Sequence, residues 1–205
     1  AVTSEELTAM AEAYRNCLDA GHSPNDECLG MIGNQYTIDW SRYGSDLSGA
    51  VKTAIPKTQL ERLSERVNSI PEDFKLHPRV QRTLDDRVKM AAGQLEIDWG
   101  FAETLAYASL LVDNYHIRVI GQDTRRGTFF HRHATFFNQK NGAEYTPLDY
   151  IGETATAFTI ADSLLSEEAV LGFEYGYSTT SPDCLVIWED QFGDFVNGAQ
   201  VVIDQ

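Results

Sequence analysis

Residues 184–195 read CLVIWEDQFGDF, an apolar run that passes directly into polar residues. The run CLVIW is typical of a buried strand, and a helix is predicted to begin near Asp190. Just upstream, residues 165–177 read LSEEAVLGFEYGY, where apolar residues recur at helical spacing behind a Ser163 or Ser166 cap. A helix, a strand and a second helix are therefore predicted in this order.

The same alternation begins earlier in the chain. Asp98 is placed to cap a helix that continues to Val112, and the β-branched run IRVI at residues 117–120 ends at Gly121. Helices that alternate with short apolar strands indicate an α/β fold with a parallel sheet covered by helices. In such sheets, ligands bind beyond the carboxyl ends of the strands.

Helices dominate residues 1–92. The first is predicted from a Thr3 or Ser4 cap to about Gly21, with an apolar face that has to pack on something. The second, whose apolar stripe extends to Ile70, ends before Pro71, and the third runs from near Pro78 towards Gly93. Residues 21–55 are predicted to form a long irregular connection. A helical segment at 1–92 followed by an α/β segment at 93–205 is the predicted organisation.

Composition limits the class of partner. The formal net charge of −15 disfavours nucleic acid and anionic membranes as partners, since both are bound by clustered Lys and Arg. No run approaches the roughly 20 apolar residues of a membrane span, and no signal peptide is evident. The three cysteines, Cys17, Cys28 and Cys184, match no zinc or redox spacing and are predicted to be reduced thiols in an intracellular protein. The chain lacks an initiator Met and stops inside an apolar helical pattern at residues 199–205, which predicts a piece of a longer polypeptide.

Four motifs occur in order after residue 97. They read DWGFAE at 98–103, GQDTRRGTFFHRH at 121–133, LSEEA at 165–169 and QFGDF at 191–195. Together they resemble the thiamine-dependent, decarboxylating first component of the 2-oxoglutarate dehydrogenase family. The resemblance implies an incomplete, transketolase-like pyrimidine-binding domain at 93–205, preceded by a helical interdomain linker at 1–92.

The resemblance assigns cofactor-binding roles to three residues. Glu167 matches the carboxyl group that hydrogen-bonds N1′ of the thiamine diphosphate aminopyrimidine, and it is the predicted catalytic residue. Phe195 matches the ring that stacks on the aminopyrimidine, and Gln191 matches a residue that lines the same pocket. Two structural alternatives stay open. A glutamate in the first turn of a helix is stabilised by the helix dipole, and Phe195 shares a helical stripe with Phe192 and Ala199 that is typical of a core.

A second group of residues is predicted to face the substrate. Gln122 matches an active-site position just beyond the strand, and His131 and His133 could transfer protons or hold a substrate carboxylate when protonated. An H-x-H pair without further ligands does not predict a metal site. The neighbouring arginines would suit a dicarboxylate substrate or balance nearby acids; they are Arg125, Arg126 and Arg132.

The family's Gly-Asp-Gly motif for magnesium and diphosphate is absent from this sequence, so magnesium is expected to bind outside it. The resemblance implies a parent homodimer that decarboxylates 2-oxoglutarate and passes succinyl to a lipoyl-bearing succinyltransferase component. The expected location is the bacterial cytoplasm, or the mitochondrial matrix in a eukaryote. The isolated piece is expected to be inactive and to self-associate. A sister enzyme for 2-oxoadipate and a structural or dimerisation segment are the open alternatives.

Overall fold

The computed structural model describes residues 2–22, 37–44, 49, 52–152, 157–193 and 195–204. Cys28, Asp194 of the QFGDF motif and most of the predicted connection at 21–55 lie outside these residues. The chain divides into two compact units, Ala1–Gly44 and Ser45–Gln205, which are described separately.

The first unit contains helix α1, Ser4–Asp19. Thr3 caps it as predicted, because its side chain accepts a hydrogen bond from the Glu6 amide while the Glu6 carboxylate accepts from the Thr3 amide at 2.7 Å. None of the residues of α1 is buried. A short 3₁₀ turn, Trp40–Arg42, follows behind an Asp39 cap.

The second unit opens with three helices. Helix α2 spans Lys57–Val67, α3 spans Pro78–Ala91 and α4 spans Trp99–Val112. Helix α3 begins with a proline, whose missing N–H costs nothing at that position, and Asp98 caps α4 by accepting from the Phe101 amide at 2.8 Å. Ile70, placed in the second helix from the sequence, lies beyond the end of α2.

The main sheet has three parallel strands, and the first of them along the chain lies in the centre between the other two. Strand β1 spans His116–Gly121, β4 spans Phe158–Asp162 and β5 spans Cys184–Glu189. The predicted strands β1 and β5 and the predicted parallel α/β class are confirmed, whereas β4 was not predicted. Helix α4 packs on β1 and α5, Glu167–Thr180, packs on β5. The main core includes residues of α2, α4 and β1, among them Leu63, Val67, Phe101, Leu105, Ala108, Leu111, Ile117 and Val119.

Two segments differ from the sequence predictions. The loop after β1 contains a small antiparallel pair, β2 at Phe136–Phe137 and β3 at Glu144–Tyr145, and then a 3₁₀ turn. The helix predicted near Asp190 is wrong: 3₁₀ turns occupy Gln191–Gly193 and Val196–Ala199, and α6 covers only Gln200–Ile203. Gly193 has a φ of 73°, which a right-handed helix cannot accommodate.

Candidate cofactor site at the carboxyl edge of the sheet

Glu167, at the first position of α5, is a buried residue at this edge. Its side chain is 6% exposed, and Ser166 caps the helix in front of it. One carboxylate oxygen, Oε2, accepts a hydrogen bond from Nε1 of Trp188 at 3.1 Å. The other oxygen, Oε1, is buried and has no hydrogen-bond partner among the described residues. A buried acceptor without a partner is costly, so this atom marks a place where a polar ligand group fits.

The electrostatic surroundings of Glu167 favour its protonated form. Burial raises the pKa of its carboxyl group, the hydrogen bond from Trp188 lowers the pKa, and the negative charge of Asp190 raises it; the net direction is upward. Glu167 is therefore a better proton carrier near neutral pH than an exposed glutamate.

Gln191 lies beside the end of β1, as expected from two parallel neighbouring strands. Its Nε2 donates to Oδ2 of Asp123 at 2.6 Å, and Nη2 of Arg126 contacts the same oxygen at 2.8 Å. Asp123 follows Gln122, which is half-buried, and has a left-handed φ of 54°. The carboxyl ends of β1 and β5 therefore lie side by side at this edge of the sheet.

Phe195 is not part of the core. Its side chain is 50% exposed and precedes the 3₁₀ turn Val196–Ala199, in which Ala199 is fully buried. That turn lies beside Glu167, because a Cβ on Gly198 would be 4.0 Å from the Cβ of Glu167. The exposure of Phe195 does not fit the core position that the helical stripe allowed, and its stacking role stays a prediction.

The two histidines lie in the loop that follows β1. The His131 ring packs on Gly127, where a Cβ would lie 2.5 Å from the imidazole Cε1, and Nδ1 of His131 is buried without a hydrogen-bond partner in the described part of the chain. Burial, helped by the positive charges of Arg87 and Arg126, lowers the pKa of His133 to about 4. His133 is therefore neutral near pH 7, and this does not favour the predicted binding of a substrate carboxylate by a protonated imidazole.

His133 also lines a groove of about 470 Å³ together with Arg126, Phe130 and Phe136. Glu167, Gln191 and Phe195 are not among its lining residues. The structure thus places Gln191 next to the Gln122–Asp123 turn and the turn after Phe195 beside Glu167, but it places His133 in the wall of a separate groove.

Arg132 lies at the centre of a charge cluster that sequence patterns do not predict. It is 4% exposed, and its Nε and Nη2 each lie 2.8 Å from the Glu103 carboxylate. Its Nη1 donates to the Thr124 carbonyl at 2.8 Å and to the Glu189 carboxylate. The only signal in the sequence was the presence of basic residues in an acidic chain. The acidic partners Glu103 and Glu189 are 29 and 57 residues away from Arg132, so no local pattern joins them to it.

The other two arginines of the loop also pair with acids. Arg125 contacts Glu144 at 2.9 Å and Asp162 at 3.0 Å, and Arg126 contacts Asp123. Of the two predicted roles, charge balance is the one that the geometry supports.

Two other features are absent from the described residues. No group of three or more His, Cys, Asp or Glu side chains is arranged to hold a metal ion. No described helix combines the length and apolar character needed to cross a membrane.

Comparison with known proteins identifies the family. The transketolase pyrimidine-binding domain family matches residues 96–205. Over its whole length the chain is 49% identical to the 2-oxoglutarate dehydrogenase E1 component of Cupriavidus necator and 45% identical to that of Haemophilus influenzae, and it spans 22% of each protein. The E1 component of Coxiella burnetii is 46% identical over 99% of the chain, again with 22% of that protein covered.

The chain thus spans about a fifth of the length of these curated relatives. Their similarity confirms the resemblance that the four ordered motifs predicted. The match over residues 96–205 contains the parallel sheet, Glu167 and the turn that carries Phe195. This chain therefore belongs to the transketolase pyrimidine-binding domain family.

Proposed function

We propose that this chain supplies the aminopyrimidine-facing half of a thiamine diphosphate site in a 2-oxoglutarate dehydrogenase E1 component. The observation that carries the proposal is the pair of unequal oxygens on Glu167, one held by Trp188 and one buried without a partner among the described residues. Homologous E1 components at 44–49% identity support the choice of enzyme.

The residues at the site fit the planar, nitrogen-rich ring of this cofactor. Glu167 offers a carboxyl oxygen that can exchange a proton with a ring nitrogen, and Phe195 offers a half-exposed ring for stacking. Gln191 is held at the carboxyl edge of the sheet by its bond to Asp123. When bound, thiamine diphosphate supplies the nucleophilic carbon and the electron sink that decarboxylation of a 2-oxoacid needs.

We extend the proposal to the organisation of the whole enzyme. Residues 1–92 form a helical interdomain linker and residues 93–205 belong to the pyrimidine-binding domain. Magnesium and the diphosphate bind in a part of the enzyme outside this sequence. The whole enzyme is a cytoplasmic homodimer that decarboxylates 2-oxoglutarate and passes the succinyl group to a lipoyl-bearing succinyltransferase component in the tricarboxylic acid cycle. Gln122 is the candidate for the substrate side of this site. His131 and His133 belong to the loop that follows β1, and His133 lines a separate groove, so their role towards the substrate stays a prediction.

Calorimetry tests the cofactor half of the proposal. The chain is titrated with thiamine diphosphate and magnesium, and we expect the binding heat to be lost in Glu167→Ala and Phe195→Ala. The matched control is Glu168→Ala, because Glu168 shares the same first turn but is exposed. Binding that persists unchanged in Glu167→Ala would contradict the proposal.

Substrate choice is tested separately, in the complete enzyme. Rates with 2-oxoglutarate and 2-oxoadipate distinguish the two acids, which differ by one methylene and are separated by pocket contacts worth only about 1–3 kcal/mol. A preference for 2-oxoadipate would overturn the substrate assignment and leave the cofactor assignment intact.

A further inference from the structure

Trp188 is held in a defined place beside Glu167. It is the fifth residue of β5, pairs in register with Ile120 of the central strand and is half-buried. Its indole Nε1 donates to Oε2 of Glu167 at 3.1 Å. An indole nitrogen can only donate a hydrogen bond, so the direction of this bond is unambiguous.

That direction makes the two oxygens of Glu167 chemically different. The better acceptor in a protonated carboxyl group is the carbonyl-like oxygen, and Oε2 already accepts from the indole. A proton on the carboxyl group is therefore favoured on Oε1, which is buried and has no partner within the described residues. Asp190, whose negative charge acts on Glu167, further favours the protonated form.

We propose that Trp188 is a positioning residue that fixes Oε2 of Glu167 and so reserves Oε1 as the oxygen that carries the exchangeable proton. The identity of the ligand that meets this proton rests on the proposed function, but the placement of the proton does not. Trp188 acts through Glu167 and has no chemical step of its own.

Fluorine NMR of the intact protein labelled with 5-fluorotryptophan tests the coupling without any ligand. The Trp188 signal is assigned by its loss in Trp188→Phe. We expect this signal to shift with pH along a single ionisation that disappears in Glu167→Gln, since glutamine still accepts the indole hydrogen bond but does not ionise. Trp99 is an internal control, because it is 91% exposed. A pH-independent Trp188 signal, or one that still titrates in Glu167→Gln, would overturn the proposal.

A second readout is the pH midpoint of thiamine diphosphate binding. Removing the indole donor in Trp188→Phe takes away a bond that favours the charged carboxylate, so the midpoint should move to higher pH. Trp188→His restores a ring N–H and should return the midpoint towards the wild-type value, whereas Trp99→Phe should leave it unchanged. Equal midpoints in Trp188→Phe and the wild type would contradict the positioning role.

The two readouts separate this inference from the proposed function. If the fluorine signal follows Glu167 but thiamine diphosphate does not bind, the cofactor assignment fails and the positioning role holds. If the cofactor binds but the fluorine signal does not follow the ionisation of Glu167, the cofactor assignment holds and the positioning role of Trp188 fails. Circular dichroism of Trp188→His and Trp188→Phe checks that both variants keep the native fold. If Trp188→Phe does not fold, Trp188→His assigns the Trp188 signal by its loss, and the fluorine titrations of the wild type and Glu167→Gln carry the test. A pH-independent Trp188 signal in the wild type still overturns the proposal.

Discussion

Two neighbouring glutamates at this site, Glu167 and Glu168, differ in burial although they are adjacent in the sequence. Glu167 and Glu168 occupy the same first turn of α5, where the helix dipole favours both carboxylates equally. Only Glu167 is buried, and burial is the largest cause of its raised pKa. The structural alternative, in which the Glu167 carboxylate only interacts favourably with the helix dipole, does not explain why Glu167 is buried.

This difference predicts a gain of stability at neutral pH for Glu167→Gln. A carboxyl group whose pKa is higher in the folded than in the unfolded state stabilises the fold when protonated, and this stabilisation is lost as pH rises through the folded-state pKa. Glutamine avoids that loss, so urea unfolding should show a larger free energy for Glu167→Gln than for the wild type at pH 7, but not at pH 4. Glu168→Gln should be close to neutral at both, and a loss at pH 7 in Glu167→Gln would refute the argument.

His133 predicts a pH dependence of the opposite sign. Its pKa of about 4 lies below the ordinary value of 6.5, so the unfolded chain binds the extra proton between these two values. Stability should therefore fall on acidification from about pH 6.5 to pH 4, by an amount on the order of 2–3 kcal/mol from this group. His133→Asn should flatten that part of the stability curve, because asparagine tolerates the φ of 42° but does not titrate. An unchanged slope in His133→Asn would assign the effect to other groups.

Some of these residues could be predicted from the sequence, and others could not. Glu167, Gln191 and Phe195 stand inside motifs, so the resemblance pointed to them directly. Trp188 reads as an ordinary residue of a buried strand, and nothing local shows that its N–H reaches a residue 21 positions away. Hydrogen bonds between distant segments have no local signature, which is why this partner could only come from the structure.

At the scale of elements, the backbone of the loop after β1 packs closely against α4 at Gly100. A Cβ on Gly100, in the first turn of α4, would lie 2.2 Å from the His131 carbonyl oxygen. Arg87 of α3 holds the same stretch, because its Nη2 donates to the carbonyls of His131 and Arg132 at 3.2 and 2.6 Å. The DWGFAE and GQDTRRGTFFHRH motifs are therefore linked in space by one close backbone contact.

Gly100→Ala should destabilise the protein by about 2 kcal/mol or more, because the obstacle is a backbone carbonyl that cannot rotate away. The matched control is Gly172→Ala in α5, where a Cβ would meet nothing within 4 Å. There, alanine should stabilise the helix by about 0.5–1 kcal/mol. Denaturant unfolding of both variants gives the comparison, and equal effects would show that the His131 contact is unimportant.

The elements that sequence patterns missed are those without a long local signal. Strand β4 is five residues long and gains its hydrogen bonds from β1, which lies about forty residues earlier. Strands β2 and β3 have two residues each, too few for any alternation to be visible. The helix expected near Asp190 had an apolar pattern, but Gly193 with its left-handed backbone divides that stretch into turns.

At the scale of the whole molecule, Arg132 joins α4, the loop and the end of β5 by its bonds to Glu103, Thr124 and Glu189. Arg132→Met would leave two partly buried carboxylates without their partner, and we expect a loss of up to about 3–5 kcal/mol in the free energy of unfolding. Arg125→Met is the control, since its partners Glu144 and Asp162 are 55% and 37% exposed and each such pair contributes about 1 kcal/mol or less. Thermal and urea unfolding measure both, and similar losses would contradict the central role of Arg132.

Self-association is the last expectation, and it depends on the balance of two whole-molecule properties. Helix α1 exposes an apolar stripe in which Leu7, Met10, Tyr14 and Leu18 are each more than half exposed, whereas the net charge of −15 opposes contact between copies. Salt screens the charge and not the apolar attraction, so light scattering at micromolar concentration should show more association at about 0.5 M than at about 0.05 M salt.

Replacing both Met10 and Tyr14 by glutamine should reduce the association. Replacing Glu5 and Glu12 of the same helix by glutamine is the control, and it should increase the association because it removes negative charge and leaves the stripe intact. A monomer at both salt concentrations would show that the stripe does not bind a second copy.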